Sequence, residues 1–377
     1  MLSFPRFLAA ILSALILAAA AYLLWTWCQG EWVRDGDVLV RMRDDWRLWV
    51  GGGLLAWSFL GRLIIPLILA KGGGRRTTAR YGQGRIEQGA SGSSLYVEEY
   101  GPAGAPVLLF THGWGMDSTF WDYARQDLGD RFRLVLWDLP GLGRSKRPSS
   151  GRIALSDFAA DLAGLLEKLD RPTVLIGHSI GGITIQTLVR DHPKALDRVA
   201  GVVLLNTTYT NPLRTMVGAP MWRVLQKPIL EPAMQLTVWL SLLVWLSKWQ
   251  SYLSGSTHAA MRFGFGKEVT RSQLEHVSWL STRAAPGVEA RGNLAMFRWD
   301  GTGALADVSR PVLVVGGDLD IVTKLEASEV IAGESGGALR VAHGANHMGP
   351  LESAKYYSEL IETFALSLQS VSRESAI

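Results

Sequence analysis

A serine in a short glycine-rich turn is the clearest candidate for chemistry in this chain. Residues 174–176 (Val-Leu-Ile) are an apolar run, residues 177–181 read Gly-His-Ser-Ile-Gly, and an amphipathic stretch follows directly. This order predicts a strand, a sharp turn and a helix, the setting in which a serine hydroxyl projects from a sheet as a nucleophile. A free serine is a weak nucleophile at neutral pH, so Ser179 requires a base and a group that orients that base. An ordinary glycine-rich turn is the alternative that the rest of the chain must exclude.

A later loop offers the acid. Residues 311–315 (Pro-Val-Leu-Val-Val) predict a buried strand, and the loop that follows carries Asp318 and Asp320. We assign Asp320 as the orienting acid because it lies farther out on the loop. Asp318 is the competing carboxylate, and it could instead cap the loop or the next helix.

The next loop offers the base. Residues 338–342 predict a short strand that leads into His343 and then His347. We assign His347 as the base because the flexible stretch 344–346 lets it reach over the sheet toward Ser179. His343 is the rival, and either histidine could instead be an ordinary surface residue. In this assignment His347 takes the proton from Ser179, and Asp320 holds the imidazole in the required tautomer.

Acyl transfer also needs N–H donors aimed at the developing oxyanion. The backbone N–H of Ile180, directly after the nucleophile, is the first candidate. The second is the N–H of Trp114, because residues 107–110 predict a strand and residues 111–115 (Thr-His-Gly-Trp-Gly) form the turn after it.

Five segments, in this order, resemble the α/β-hydrolase superfamily, and the resemblance covers about residues 93–370. They are residues 112–114 (His-Gly-Trp), 138–145 (Asp-Leu-Pro-Gly-Leu-Gly-Arg-Ser), 177–182, 317–320 and 344–347 (Gly-Ala-Asn-His). The order Ser, Asp, His along the chain is the one that this fold uses. The resemblance implies an α/β fold with a mostly parallel sheet, helices on both faces and a helical lid inserted late in the sheet. The loop 138–145 is expected to shape the mouth of the site.

The superfamily includes hydrolases of esters, lipids, thioesters and C–C bonds, and relatives that act on epoxides and haloalkanes. The last two use an aspartate nucleophile, so the serine at position 179 argues against both. The fold alone does not choose among the serine chemistries.

Composition excludes several other classes of protein. The chain has 377 residues, a net charge of +4 and one cysteine, Cys28. An intrachain disulfide is therefore impossible, and no Cys/His set has the spacing of a structural zinc site. No metal or cofactor is expected. No long Lys/Arg run suggests nucleic acid, whereas basic residues after an apolar segment favour a membrane surface.

The amino-terminal region predicts a membrane anchor. Residues 7–27 form a charge-free apolar run long enough to span a bilayer, with Trp25 and Trp27 placed at an interface. A cleavable signal peptide is the alternative, although the run is long for one. A second run, 48–70, contains Arg62 and Pro66, and it predicts either a second span or an interfacial or buried helix.

Flanking charge predicts the side of the membrane. Residues 71–85 carry five basic residues and no acidic one, whereas the loop between the two runs is mixed. The positive-inside rule then favours a helical hairpin with the catalytic domain in the cytoplasm. If the second run only lies on the membrane, that domain would be outside.

The whole chain divides into a membrane anchor (1–71), a linker (72–94), a hydrolase core (95–206 and 310–377) and a lid (207–309) that interrupts the core. Alternating strand and helix patterns define the core. Residues 236–247 lack charge and are rich in Trp and Leu, and they predict a lid helix with Thr237, Ser241 and Lys248 in one polar stripe. That helix either touches lipid or lines an acyl pocket, or it is buried and packs the lid onto the core.

These observations predict a membrane-anchored serine hydrolase that cleaves an apolar carboxylic ester, a lipid or an acyl ester, through an acyl-enzyme intermediate. The substrate and the membrane are the expected partners, and the oligomeric state is left open. A C–C bond hydrolase or a thioesterase is the main alternative, and a non-catalytic membrane scaffold is the alternative from another class.

Overall fold

The computed structural model of the protein describes residues 3–77 and 80–374. The strands are β1 (Glu31–Asp35), β2 (Val38–Met42), β3 (Gly84–Gln88), β4 (Ser94–Tyr100), β5 (Val107–Thr111), β6 (Arg133–Trp137), β7 (Thr173–His178), β8 (Val199–Leu205), β9 (Val312–Gly317) and β10 (Ala338–Ala342). The α-helices are α1 (Ser3–Gln29), α2 (Asp45–Leu60), α3 (Ile65–Leu69), α4 (Asp122–Leu128), α5 (Leu155–Glu167), α6 (Ile180–Asp191), α7 (Ala219–Leu225), α8 (Glu231–Trp239), α9 (Ser241–Leu253), α10 (Ser256–Arg262), α11 (Arg271–Arg283), α12 (Pro286–Phe297), α13 (Leu325–Ser335), α14 (Gly349–Glu352) and α15 (Ala354–Glu374).

An eight-stranded sheet forms the centre of the molecule, in the order β10-β9-β8-β7-β5-β6-β4-β3. The six strands from β10 to β6 in this order pair in parallel, and β4 and β3 complete one edge antiparallel. Side chains alternate between two hydrophobic clusters, so Leu109 of β5 joins one and Leu108 and Phe110 join the other. The sheet is therefore buried on both faces, as a parallel sheet must be. The loops after the parallel strands meet at one edge.

The strands predicted around residues 107–110, 134–137, 174–176 and 202–205 are present in the sheet. The linker predicted for residues 72–94 is different, because it contains β3. Ile86 alternates with Arg85 and Glu87 along this strand, and β3 pairs with β4 over the whole of its length. A short edge strand with charged residues resembles a polar linker in sequence, and only its pairing partner distinguishes the two.

Helices α7–α12, which we call the cap, lie between β8 and β9, inside the region predicted as a lid. The single helix predicted over residues 236–247 is wrong. The helix ends at Trp239, a new one begins at Ser241, and the two directions differ by 98°. Ser241 Oγ accepts the N–H of Gly287 on α12 at 3.1 Å, so a tertiary contact holds the start of α9 where local helical spacing predicts continuity.

Helix α1 is long and apolar enough to cross a membrane over residues 8–29. It packs against α2 and against α9 and α10 of the cap. Ser13, fully buried at this contact, is hydrogen-bonded to Ser254 through their Oγ atoms at 2.6 Å. At the far end of α1, β1 and β2 form an exposed hairpin that leads into α2. The amino-terminal region is therefore a helical hairpin whose open end lies on the cap.

The second apolar run is broken. Helix α2 ends at Leu60, a 3-10 turn occupies Gly61–Leu63, and the short α3 follows with Pro66 in its first turn. Arg62 donates to the hydroxyl of Tyr252 at 3.0 Å and its guanidinium stacks on the same ring. The charge inside this run is thus accommodated by the cap.

Gly61 is a point of close approach between the helical hairpin and the cap. A Cβ at Gly61 would lie 2.2 Å from the carbonyl oxygen of Ser254, whereas a Cβ at Gly52 of α2 would meet nothing within 4 Å. We expect Gly61→Ala to lower the free energy of unfolding by about 1–3 kcal/mol through overpacking. The matched control Gly52→Ala should raise it by about 0.5–1 kcal/mol, since alanine is the better helix former. Thermal unfolding in detergent measures both, and equal effects would contradict the packing described here.

Candidate active site

The turn between β7 and α6 holds Ser179 in a strained conformation, with φ 54° and ψ −117°. Its two neighbouring glycines allow the strand and the helix to approach. A Cβ at Gly177 would lie 2.5 Å from the carbonyl carbon of Gly181, and a Cβ at Gly181 would lie 2.2 Å from the carbonyl oxygen of Thr111 on β5. Glycine is therefore required at both positions. The strain is localised at the one residue whose hydroxyl must be presented.

Ser179, His347 and Asp320 form one hydrogen-bonded chain. His347 Nε2 lies 3.1 Å from Ser179 Oγ, and His347 Nδ1 lies 3.0 Å from Asp320 Oδ2. The three residues follow β7, β10 and β9, whose carboxyl ends share one edge of the sheet. All three are at least nine-tenths buried. The geometry allows the imidazole to accept the hydroxyl proton while the carboxylate holds its other nitrogen.

Asp320 is a buried carboxylate with a full set of donors. Its Oδ1 accepts the N–H groups of Val322 and Thr323, both at 2.8 Å. Its Oδ2 accepts the hydroxyl of Thr323 at 2.8 Å and the side-chain amide of Asn206 at 3.0 Å. Burial by itself would raise the pKa of Asp320, but His347 and these donors hold it below its ordinary value. Asp320 is therefore the ionised member of the chain.

The rival acid and base pair with each other, away from Ser179. His343 Nδ1 lies 3.0 Å from Asp318 Oδ2, and Asp318 Oδ1 accepts the N–H of Gly344 at 2.7 Å. The side chain of His343 is 84% exposed. This pair stabilises the loop on the surface and does not contact the buried chain of Ser179.

The two proposed oxyanion donors follow two neighbouring strands, Trp114 after β5 and Ile180 directly after Ser179 at the end of β7. Ile180 is the first residue of α6, where an N–H has no acceptor within its own helix. Trp114 lines the cavity at Ser179, and its ring is fixed by a bond from Nε1 to the carbonyl of Glu289 at 3.2 Å. Both backbone N–H groups lack an acceptor among residues 3–77 and 80–374.

Asn206 was not identified from the sequence. It lies directly after β8 with φ 45°, and it donates both to Asp320 and to the carbonyl of Asn346 at 3.2 Å. The hydroxyl of Tyr357 donates to Asn206 Oδ1 at 2.7 Å. Burial raises the pKa of Tyr357, which keeps this donor protonated. The signal in the sequence was a polar residue at the carboxyl end of a predicted strand.

Two buried, uncharged histidines hold the loops around Ser179 through hydrogen bonds to the backbone. His178 donates from Nε2 to the carbonyl of His347 at 2.9 Å, and burial, reinforced by the nearby His347, lowers its pKa to about 3. His112 donates from Nδ1 to the carbonyl of Gly113 at 2.8 Å and accepts the N–H of Leu139 at Nε2. Burial lowers the pKa of His112 to about 4. Both rings therefore stay uncharged at neutral pH and fix the loops around Ser179.

The loop 138–145 is held by its first residue. Asp138 accepts the N–H of Ser118 and the N–H of Arg144, both at 2.7 Å, and its pKa rises to about 7 through burial and the neighbouring Asp117. The carboxyl thus joins two loops beside the site. Residues 138–145 do not line the cavity at Ser179, so their role at the mouth of the site stays a prediction.

Glu352 of α14 holds the loop that carries His347. One carboxylate oxygen accepts the N–H of Asn346, and the other accepts the N–H of Gly266 in the cap. Burial raises the pKa of Glu352 to about 7, although both N–H groups lower it. A single carboxyl therefore connects the base-bearing loop to the cap.

A small cavity at Ser179, with a volume of about 40 Å³, is lined by Met116, Met261, Val277 and Met348 among others. A nucleophile, a base, an ionised acid and free N–H donors surround it. Within residues 3–77 and 80–374, no three His, Cys, Asp or Glu side chains are grouped to hold a metal ion. The arrangement suits nucleophilic attack on a carbonyl carbon in apolar surroundings.

Glu352 gives stability a pH dependence with a defined sign. Between its ordinary pKa near 4.5 and the folded value of about 7, the folded protein retains a proton that the unfolded chain has lost. The stabilisation by the protonated carboxyl of Glu352 is therefore fully present below about pH 4.5, and it is lost as the pH rises through about 7.

We expect Glu352→Gln to remove this pH dependence, so the free energy of unfolding of the wild type should fall relative to that of the variant as the pH rises from about 4.5 to about 7. Chemical denaturation of both proteins across that range measures it. A difference that stays constant with pH would contradict the assignment.

Comparisons with known proteins identify the family and the fold. The model of the Alpha/beta hydrolase family matches residues 108–360. A bifunctional esterase/perhydrolase of Acinetobacter calcoaceticus is 28% identical over 63% of this chain and 82% of its own length. The magnesium-chelatase 30 kDa subunit of Rhodobacter capsulatus and the non-heme chloroperoxidase of Streptomyces lividans are each 36% identical over 34% and 31% of this chain. Those two matches span only 52% and 42% of the relatives' own lengths.

Solved structures share the fold. A thermophilic esterase from Thermogutta terrifontis superposes with a TM-score of 0.60 at 26% identity, covering 76% of this chain and 99% of that one. A bacterial membrane phospholipase A superposes with a TM-score of 0.60 at 18% identity, covering 85% of this chain and 96% of that one, which shows a common fold alone. Since the family match extends over more than half of the chain, from β5 into α15, the protein belongs to the alpha/beta hydrolase family.

Proposed function

We propose that the protein is a membrane-bound serine hydrolase that cleaves an apolar carboxylic ester, a lipid or an acyl ester. The observation that carries the proposal is the buried hydrogen-bonded chain of Ser179, His347 and Asp320. The protein is a carboxylic ester hydrolase, and the esterase relative from Acinetobacter and the esterase from Thermogutta support that chemistry. The choice of an apolar ester rests on the methionine and valine side chains around Ser179.

In the first half of the reaction, His347 Nε2 takes the proton of Ser179 Oγ as the oxygen attacks the ester carbonyl carbon. The N–H groups of Trp114 and Ile180 stabilise the oxyanion, and Asp320 stabilises the imidazolium. When the intermediate collapses, His347 gives its proton to the departing alcohol. Ser179 is left as an acyl ester.

In the second half, a water molecule gives a proton to His347 Nε2 and attacks the acyl carbonyl. Collapse of this second intermediate returns the proton to Ser179 Oγ and releases the carboxylic acid. The neutral His178 supports both steps, because its bond to the backbone of His347 keeps the imidazole in place without adding a competing charge.

Exposed apolar side chains support a membrane setting. On the cap, Trp239 is 84% exposed, Val224 is 73% exposed and Leu242 is 69% exposed. On the hairpin, Trp49 and Ile68 are 76% and 70% exposed. Apolar surface of this extent on contiguous elements is typical of a protein that contacts lipid.

If α1 spans a bilayer, its length determines how deeply the cap is immersed in the lipid. Residues 8–16 lie at the level of the cap, since they line cavities together with cap residues. Residues 17–29 extend beyond it by about 20 Å at 1.5 Å per residue. The hydrocarbon core of a bilayer is about 30 Å thick, so a spanning α1 requires the cap to be immersed by about 10 Å. The exposed Leu12 and Leu15 at cap level fit this depth.

The helical hairpin supports a cytoplasmic location for the catalytic domain. Helices α2 and α3 return the chain to the cap, so a spanning helical hairpin would put the exposed β1–β2 hairpin across the membrane from Ser179. The basic residues after α3, between 71 and 85, remain with the catalytic domain, which is the arrangement of the positive-inside rule.

The assignment of the catalytic residues can be tested against a matched pair of control residues on the surface. We expect Ser179→Ala, His347→Ala and Asp320→Asn each to lower kcat for an acyl ester by about 10⁴-fold or more, because the three groups act as one unit. His343→Ala and Asp318→Asn should leave kcat within about twofold, since that pair lies on the surface.

A fluorophosphonate probe tests the nucleophile directly. It should label the wild type, His343→Ala and Asp318→Asn, and it should not label Ser179→Ala. Labelling of Ser179→Ala, or loss of activity in the surface pair, would overturn the assignment.

The single cysteine tests the topology. Cys28 is exposed at the end of α1 next to the β1–β2 hairpin. In intact cells whose outer face is accessible, we expect a membrane-impermeant maleimide to label Cys28. In the double variant Cys28→Ser, Ser149→Cys, the thiol lies on an exposed loop of the catalytic domain, and it should react only after permeabilisation. The reverse pattern, or equal labelling of both, would contradict a spanning hairpin with a cytoplasmic domain.

A further inference from the structure

A second cavity lies beside the one at Ser179. Its volume is about 250 Å³, against about 40 Å³ for the cavity at Ser179. Ser281 of α11 lines both. Sites for small molecules usually hold about 300–1,000 Å³, so the cavity at Ser179 has room for the ester group and little else. The larger cavity, which we call the chamber, lies next to it and has the volume to hold more of a substrate.

The walls of the chamber come from the cap and from the amino-terminal helix. Met234 and Val244 belong to the cap helices α8 and α9, and Ala290 belongs to α12. The remaining wall is the amino-terminal helix α1, which contributes Ala10, Ile11 and Ala14. These positions have the spacing of a single helix face. The amino-terminal helix is thus part of the cavity as well as a candidate anchor.

The charged groups of the chamber are concentrated at its inner end. Lys248 Nζ donates to Glu289 Oε2 at 2.7 Å and to the carbonyl of Ala284 at 2.8 Å. Glu289 adjoins the cavity at Ser179, because a Cβ at Gly115 would lie 2.7 Å from Glu289 Oε1. The ion pair marks the junction with the catalytic cavity, and the wall formed by α1 is aliphatic. An occupant with a polar end near Ser179 and an aliphatic end toward α1 fits this distribution.

Two polar side chains of the chamber wall are also satisfied within the protein. Thr237 donates to the carbonyl of Ala233 at 2.8 Å, and Thr257 donates to Ser251 Oγ at 3.0 Å. They do not require hydrogen bonds from a ligand. An acyl chain, which offers none, can therefore occupy the space without leaving these two groups unpaired. Asn293 Oδ1, which also lines the chamber, has no hydrogen-bond partner among the described residues.

We infer that the chamber binds the acyl chain of the substrate and that the amino-terminal helix, through Ala10, Ile11 and Ala14, is the wall that limits the length of that chain. The inference rests on the proposed function and adds a specificity site to it. Since residues 8–16 of α1 lie where the cap is immersed, the chamber lies at the depth of the lipid acyl chains. The chain of the substrate then moves from lipid to chamber through apolar surroundings.

The test is a profile of kcat/KM against acyl length, from about 4 to about 16 carbons, measured in mixed micelles of fixed composition. Ala14→Phe adds a ring to the α1 wall, so it should lower kcat/KM for long chains by about tenfold or more while short chains change within about twofold. Ile11→Ala removes side-chain volume from the same wall and should shift the optimum toward longer chains. The matched control is Ala19→Phe, an exposed position of α1 that lines neither the chamber nor the cavity at Ser179. It should keep the wild-type profile.

The outcomes separate the inference from the function on which it rests. A wild type that hydrolyses only short chains, or none, refutes the proposed apolar ester. A wild type that prefers long chains, with unchanged profiles in Ala14→Phe and Ile11→Ala, refutes the role of α1 alone. The rate of labelling by a small fluorophosphonate confirms that each variant is folded at Ser179. If Ala14→Phe does not fold, Ile11→Ala decides the question by itself.

Discussion

The site depends on keeping the carboxylate of Asp320 ionised inside the protein. Removing a carboxylate from water costs several kcal/mol unless donors replace the lost hydration. Here the donors come from the loop after β9, from Asn206 after β8 and from His347 after β10. Each donor is in place only when the parallel strands are in register. The buried charge of Asp320 therefore depends on the same arrangement of strands that brings the nucleophile and the base together.

The same constraint explains the other polar groups around the site. Tyr357 orients Asn206, Glu352 joins the loop of His347 to the cap, and His178 holds the backbone of His347. Of these groups, only His178 lines the cavity at Ser179. They restrict the imidazole to one position, which matters because a base must keep its geometry through both halves of the reaction.

The cap and the amino-terminal hairpin extend this arrangement toward the membrane. Helix α1 contacts the cap through the buried pair of Ser13 and Ser254, and Gly61 allows the second arm of the hairpin to approach the same place. A helix that served only as an anchor would not need such contacts. In the proposed enzyme, the helix holds the protein at the membrane and closes the chamber for the acyl chain.

The sequence by itself determined the strand, turn and helix around Ser179, the alternation of the core and the two apolar amino-terminal runs. These features are local, because a glycine-flanked serine and an apolar period are written in neighbouring residues. The tertiary structure decided the pairing of Asp320 with His347, the separate pairing of Asp318 with His343, and the positions of Asn206 and Glu352. It also placed β3 in the predicted linker and turned the predicted lid helix by 98° at Leu240. Each of these depends on contacts between residues far apart in the chain, and a single sequence carries no record of which distant groups meet.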